Sequence, residues 1–214
     1  MSSPSTISLT ARQRTAAADL HALLEQRIAI LEGPKGTMVQ AQNLSEADFR
    51  GDRFRSHPRD LKGNNDLLNL TRPAIIEEFH RAFIDAGADI VATNTFNGTR
   101  ISQAEYQTES LVPEINRTAA QLCVRAAQWG EAKNRRRVFV AGALGPTNRT
   151  LSLSPDVNRP DFRAVTFDQV AAAYLEQARG LVEGGAELLL VETIFDTLNA
   201  KAAVFGIQQL FDEL

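Results

Sequence analysis

Two ten-residue segments of the chain share one pattern. Gly87-Ala-Asp-Ile-Val-Ala-Thr-Asn-Thr-Phe96 and Gly185-Ala-Glu-Leu-Leu-Leu-Val-Glu-Thr-Ile194 each begin with a glycine that closes a predicted helix. Each continues as a short aliphatic run and ends in a polar residue followed by threonine. Aligned in this way, Asn94 and Glu192 take the same place, at the carboxyl end of a buried strand. Such a repeat favours a barrel, in which alternate strands contribute side chains to the same layer.

Short apolar runs alternate with helical patterns along the rest of the chain. Strands are predicted at residues 28–31, 88–94, 138–142 and 188–191, and helices at about 10–26, 71–87, 113–129, 166–182 and from 197 onward. This alternation is typical of a parallel sheet whose strands are joined by crossover helices. No G-x-G-x-x-G motif follows the first strand, which disfavours a doubly wound dinucleotide-binding sheet.

We therefore predict an α/β fold of the (β/α)8 TIM-barrel family with only the first four β/α units present, a half barrel. Residues 1–10 are predicted to form a flexible tail, and residues 11–214 the partial barrel domain. The chain is 43% hydrophobic and 23% charged, with a formal net charge of −3. This composition is typical of a cytoplasmic globular protein and indicates neither a nucleic-acid surface nor a membrane span.

Polar residues gather where the predicted strands end, and in a barrel this face carries the active site. Carboxylates at the ends of the first and fourth strands suit a ligand ammonium group or acid–base chemistry, and glycines let a ligand approach the backbone. The alternative is that these carboxylates only accept hydrogen bonds from loop N–H groups. The predicted binding residues are Glu32, Gly33, Gly36, Thr37, Asn94, Glu192 and Thr193.

No metal ligand and no catalytic residue is predicted in this chain. The histidines His21, His57 and His80 are scattered, and none pairs with a cysteine at ligand spacing. The single cysteine, Cys123, lies on the apolar stripe of a helix and is predicted to be a buried structural thiol.

Several longer motifs resemble the N-terminal homocysteine-binding (homocysteine S-methyltransferase) domain of cobalamin-dependent methionine synthase. The matching stretches are Glu46–Gly51, Asp60–Leu67, Ala86–Asp89, Thr93–Phe96, Gly145–Thr150, Ser154–Asn158 and Val191–Lys201. The resemblance implies transfer of a methyl group from methylcobalamin to homocysteine, giving methionine. It also implies that zinc, bound by cysteine thiolates, holds the substrate sulfur as a thiolate. The first loop and Glu192 would hold the amino acid end of homocysteine.

The sequence departs from this family in two respects. The family's zinc cysteines lie on later strands, and Cys123 matches none of them. The family's first loop usually reads Asp-Gly-Gly/Ala-Met-Gly-Thr, whereas here it is Glu32-Gly-Pro-Lys-Gly-Thr37. Pro34 removes a backbone donor, and Lys35 places a cation where an apolar side chain is expected.

We therefore expect the front half of a methionine synthase homocysteine-binding domain that is inactive alone. Zinc and cobalamin are expected in the intact family enzyme and not on this chain alone. The expected partners are homocysteine, the missing back half of the barrel and the cobalamin and folate modules. Two alternatives remain open: a half barrel that forms a homodimer through its open sheet edges, and a remnant with no catalysis.

Overall fold

A computed structural model of the chain describes residues 7–214, which form a parallel sheet with a row of helices on one face. Within that range the α-helices are α1 (Ala11–Gln26), α2 (Lys35–Ala41), α3 (Glu46–Arg50), α4 (Leu68–Thr71), α5 (Pro73–Asp85), α6 (Arg100–Gln103), α7 (Val112–Asn134), α8 (Phe167–Glu183) and α9 (Thr197–Glu213). The strands are β1 (Ile90–Ala92), β2 (Phe139–Leu144) and β3 (Leu188–Val191). None of the helices described in 7–214 has the length and apolar character needed to cross a lipid bilayer.

The strands pair in chain order, β1-β2-β3, and both pairings are parallel. Helices α7 and α8 make the crossovers, and α5, α7, α8 and α9 pack against one another in sequence over one face of the sheet. Side chains on the opposite face form a small cluster of their own around Ala92, Ala141 and Ala143. A parallel sheet with helices on one face and apolar side chains on the other is typical of a barrel wall.

The predicted repeat is present in the backbone. Gly87 and Gly185 follow α5 and α8 with φ angles of +112° and +102°. Both φ angles lie in the left-handed region that residues with a Cβ atom disfavour. Glycine at these two positions therefore lets the backbone turn from the helix into the next strand. The predicted fourth strand, 188–191, coincides with β3.

The predicted first strand is the main correction to the fold. Of residues 28–31, only Leu31 forms a bridge, a parallel one to Ile90. The Glu32 N–H also donates to the Ile90 carbonyl at 2.9 Å. On the side away from β1 no described strand pairs with this segment, and the Ile28 side chain is 86% exposed. The run is apolar like a buried strand, but its pairing with β1 is limited to one bridge. The described sheet therefore has three strands, and the predicted half barrel of four units is not confirmed.

The long polar segment after this bridge is folded rather than a plain loop. Helices α2, α3 and α4 bury a second core cluster against α5 and α7. Phe49 and Leu67 are almost wholly buried in it. The Glu46 carboxylate accepts the N–H groups of Leu61 and Lys62 at 2.7–3.1 Å, which fixes the middle of the segment.

Helix α1 covers the amino ends of the strands. Thr10 caps it in a reciprocal capping box with Gln13. Arg12 pairs with Glu131 at 2.8 Å and with the buried Glu187 at 3.2 Å. Ile7 packs against the main core, whereas residues 1–6 of the predicted tail lie outside the described residues.

Two faces of the described structure carry exposed apolar side chains. One is the segment beside β1, where Ile28 and Ile30 are exposed. The other is the outer side of α9, where Val204, Phe205 and Phe211 are each about half exposed. Both faces lie at the ends of the helix and strand layers, where a longer barrel would continue.

Candidate functional site

A cavity of about 340 Å³ opens at the carboxyl ends of the strands. It lies between the first loop, the segment around Asp66, the loop after β1 and the residue that follows β3. The side chains and backbone that line it belong to Gly33, Pro34, Lys35, Gly36, Asn65, Asp66, Thr93, Asn94, Thr95, Phe96, Asn97 and Glu192. The cavity therefore occupies the face that the strand-end motifs predicted.

A larger concavity of about 480 Å³ lies at the opposite end, among α1, α7 and α8. Two of its polar side chains are already engaged: Arg12 is paired with Glu131 and Glu187, and Gln13 Nε2 donates to the carbonyls of Val182 and Ala186 at 2.9 Å. These contacts attach α1 to the domain, so we assign this concavity a structural role.

The first loop brings its backbone close to α5. A Cβ atom at Gly33 would lie 2.8 Å from the Phe83 ring, so only glycine fits here without displacement. Gly36 has open space around it. Helix α2 begins directly after Pro34, which has an extended backbone, and this early start turns the Lys35 side chain back towards Glu32.

Glu32 is the buried anchor of this loop. Its side chain is 2% exposed, one carboxylate oxygen pairs with Lys35 Nζ, and the other lies 3.3 Å from His80 Nδ1. Burial alone would raise the pKa of the Glu32 carboxyl, but the bonds from His80 and Lys35 outweigh it and hold that pKa below its usual range. Glu32 is therefore a carboxylate with both oxygens engaged.

Cys123 and His80 meet beneath Glu32, a contact that the sequence did not reveal. The Cys123 Sγ lies 3.1 Å from His80 Nε2, and both residues are wholly buried. Because the carboxylate can only accept, His80 Nδ1 donates to Glu32. Burial, together with the charge of Glu32, raises the pKa of the Cys123 thiol well above its ordinary value. The prediction of a buried structural thiol is confirmed.

Asp66 is a cavity residue that sequence reasoning missed. It is 2% exposed, and its Oδ1 accepts the Asn97 N–H at 2.9 Å. Burial raises the pKa of its carboxyl to about 7, although the bond from Asn97 lowers it somewhat. Its signals in the sequence are the polar turn Lys62–Asp66 and the resemblance of Asp60–Leu67 to the family, and neither assigns a role to Asp66.

Asn94 holds the cavity wall together rather than presenting a free amide. Its Nδ2 donates to the Asn65 carbonyl at 2.7 Å, and its own carbonyl accepts from Asn69 Nδ2 at 2.7 Å. These bonds fasten the loop after β1 to the segment that carries Asp66.

Glu192 follows β3 and faces the cavity. Burial raises the pKa of its carboxyl, and the charge of Lys35 opposes this rise while that of Glu32 adds to it. Thr193, the next residue, has a φ of +59°, which is unusual for a β-branched residue. This backbone turn directs the chain away from the sheet towards α9.

The structure thus brings most of the predicted binding residues to one cavity. The cavity is lined by four of them, Gly33, Gly36, Asn94 and Glu192. The other three are not among the described lining residues: Glu32 lies behind Lys35, and neither Thr37 nor Thr193 reaches the cavity lining. The Thr37 hydroxyl instead donates to the Pro34 carbonyl at 3.0 Å. The binding roles of all seven remain predictions.

Zinc does not fit the side chains present. Among residues 7–214, no group of three or more His, Cys, Asp or Glu side chains is placed to hold a metal ion. Cys123 keeps its proton and is enclosed by His80 and the Ala92 carbonyl. A buried neutral thiol with one histidine is a poor donor set, since a zinc site needs three or four thiolate, imidazole or carboxylate ligands.

Fold and site together define an α/β protein with a partial barrel wall and a polar cavity at the carboxyl ends of its strands. Residues 29–213 match the family model described as homocysteine S-methyltransferase. The chain belongs to the homocysteine S-methyltransferase family.

Solved structures agree with this fold. The oxidized form of the homocysteine methyltransferase MmuM from Escherichia coli superposes with a TM-score of 0.68 at 20% identity, over 89% of this chain and 62% of that chain. Its metallated form superposes with a TM-score of 0.68 at 20% identity, over 90% of this chain and 63% of that chain. Its apo form superposes with a TM-score of 0.61 at 19% identity, over 89% of this chain and 59% of that chain. The present chain therefore spans less than two thirds of the length of these structures, and at such identities the likeness shows the fold alone.

Proposed function

We propose that this chain supplies the half of a homocysteine-binding barrel that receives the amino acid end of homocysteine. One observation carries the proposal: Glu192 lies at the carboxyl end of β3 and lines the cavity, and the described contacts give its carboxylate no hydrogen-bond partner. Such a carboxylate suits an ammonium group. We choose homocysteine as the ligand because the chain belongs to the homocysteine S-methyltransferase family.

Titration calorimetry of the full chain with L-homocysteine tests this proposal. We expect saturable binding, weakened about tenfold in Glu192→Gln because a charge-assisted hydrogen bond is lost. Glu78→Gln is the matched control, since Glu78 is exposed on α5, and it should bind like the unchanged chain. Lack of saturable binding at millimolar homocysteine would contradict the proposal.

We further propose that methylcobalamin is the methyl donor in the complete enzyme, as in the methionine synthases that the sequence resembles. The chain holds one cysteine, and its thiol is buried and protonated, so it cannot supply the several thiolates that would activate the substrate sulfur. The same preparation, given zinc, methylcobalamin and homocysteine, should form no methionine. The remaining barrel units and the cobalamin and folate modules would supply the missing parts, in the cytoplasm.

A second candidate is assembly with another copy of this chain. It is favoured by the exposed apolar side chains at both ends of the layers, Ile28 and Ile30 beside β1 and Phe205 and Phe211 on α9. Open edges of a parallel sheet bind further chain readily, and two half barrels related by a two-fold axis would cover each other's edges.

A further inference from the structure

We propose that Lys35 is a specificity-determining residue that makes the first-loop end of the cavity a subsite for an anionic group, the carboxylate of the ligand, and leaves the ammonium group to Glu192. The identity of the ligand rests on the proposed function. The roles of Lys35 and Glu32 rest on the contacts below.

The Glu32 carboxylate is not open to a ligand. One oxygen pairs with Lys35 Nζ, the other faces His80, and the side chain is 2% exposed. Lys35 is among the residues that line the cavity, whereas Glu32 is not among those described. The lysine therefore stands between the carboxylate and the space a ligand would enter, and it fills the position that an ammonium group of a ligand would otherwise take.

Lys35 retains hydrogen-bonding capacity on its cavity side. An ammonium group has three N–H donors, and Glu32 engages one of them. The Lys35 side chain remains 15% exposed, at the wall formed with Gly33 and Gly36. A carboxylate that enters here meets a cation whose position is already fixed by a buried partner, so binding costs little side-chain ordering.

The opposite charge lies across the cavity. Glu192 lines the same cavity and interacts electrostatically with Lys35. One wall of the cavity therefore presents a cation and the other a carboxylate. An α-amino acid carries both complementary groups on one carbon, and this arrangement fixes which end of the ligand meets which wall.

Two probes that each carry one charge separate the subsites. 4-Sulfanylbutanoate is homocysteine without its ammonium group, and 3-sulfanylpropan-1-amine is homocysteine without its carboxylate. Calorimetry on the full chain should show tighter binding of the acid. In Lys35→Met the acid should weaken about tenfold or more and the amine should tighten by a similar factor, because the mutation removes the cation and uncovers Glu32. Lys201→Met, an exposed lysine on α9, should leave both affinities unchanged.

A second variant covers the case in which Lys35→Met unfolds because a buried carboxylate loses its partner. The double variant Glu32→Gln with Lys35→Met removes both charges and should lose the preference for the acid without gaining affinity for the amine. A ligand-free readout is proton exchange at the ¹⁵Nζ group of Lys35, which should be slower in the unchanged chain than in Glu32→Gln because Glu32 holds one of its donors. Equal exchange rates in the two proteins would overturn the contact on which the inference stands.

The outcomes separate this inference from the proposed function. Equal changes for both probes in Lys35→Met, or none, overturn the inference and leave homocysteine binding untouched. A reversal of preference between the probes with no binding of homocysteine supports the inference and contradicts the proposed function. Failure of all three compounds to bind contradicts both.

Discussion

Asp66 shows how burial can place a carboxyl near the middle of the physiological pH range. It is enclosed by the segment before α4 and the loop after β1, and the Asn97 N–H is the one neighbouring donor to its Oδ1 among the described contacts. With a pKa of about 7, its charge, and with it the charge of the cavity wall, changes close to neutrality.

The pH dependence of stability follows from this shift. The pKa of Asp66 is higher in the folded chain than the unfolded value of about 3.9, so the folded state binds more protons between these values. The free energy of unfolding should therefore fall as the pH rises from about 4 to 7, by on the order of a few kcal/mol from this group. Urea denaturation across that range, compared between the chain and Asp66→Asn, measures it.

Asparagine keeps the acceptor for the Asn97 N–H but cannot ionise. The free energy of unfolding of the variant should therefore rise relative to that of the unchanged chain as the pH rises. Subtracting the two curves also removes the contributions of Glu187 and Glu192, whose pKa values are raised by burial in the same sense. Parallel curves for the two proteins would show that Asp66 does not titrate in this window.

Residue-level features of the site were predicted where local pattern determines them. Gly33, Asn94 and Glu192 follow apolar runs within one or two residues, so their place at the strand ends could be predicted from the sequence. The role of Asp66 and the His80–Cys123 contact could not be predicted in this way, because they depend on partners 31 and 43 residues away in the sequence. Pairing over such separations is set by the packing of α5, α7 and the loops, which one sequence does not disclose.

At the scale of elements, α9 depends on a single carboxylate at its start. Asp196 caps the helix by accepting the N–H groups of Leu198 and Asn199. The same side chain accepts the N–H groups of Leu151 and Ser152 at 2.9 and 2.8 Å. Asp196 thus joins the loop after β2 to the last described helix.

Asp196→Ala should lower the free energy of unfolding by about 2 kcal/mol or more, because it removes a helix cap and leaves loop N–H groups without a partner. Asp168→Ala, an exposed acidic residue in the first turn of α8, is the comparison and should cost less than about 0.5 kcal/mol. Chemical denaturation monitored by circular dichroism gives both values. Equal losses would show that the cap does not support the loop.

The elements themselves were predicted well where glycine marks their ends. Gly87 and Gly185 follow α5 and α8, as the repeat predicts. The segment 28–31 was predicted wrongly as a full strand, because an apolar run does not show how many bonds it will form with its neighbour. The helices α2 and α3 were missed because they are short. Each buries only one side chain, Val39 or Phe49, in the second core cluster, which is too few to give a helical pattern of apolar residues in the sequence.

At the scale of the whole molecule, the exposed apolar faces predict association. Ile28 and Ile30 border the open edge beside β1, and Phe205 and Phe211 border the other end of the layers. We expect sedimentation analysis to show a concentration-dependent shift from one copy to two.

A charge on the edge should oppose that shift, as charged residues do on natural edge strands. Ile28→Lys should move the association to concentrations about tenfold higher. Val157→Lys is the matched control, because Val157 is 91% exposed but lies in the loop between β2 and α8. A monomer at all concentrations, or equal effects of the two variants, would count against assembly through this edge.

The pairing order of the strands has a consequence for how the chain is made. Each strand pairs only with the strand before or after it in the chain, so during synthesis every new strand meets a partner that has already left the ribosome. The wall can therefore grow in the direction of translation without waiting for distant segments. Helix α1 is the exception: Arg12 pairs with Glu131 and Glu187, so the first helix made reaches its full set of partners only after α7, β2 and α8 have emerged.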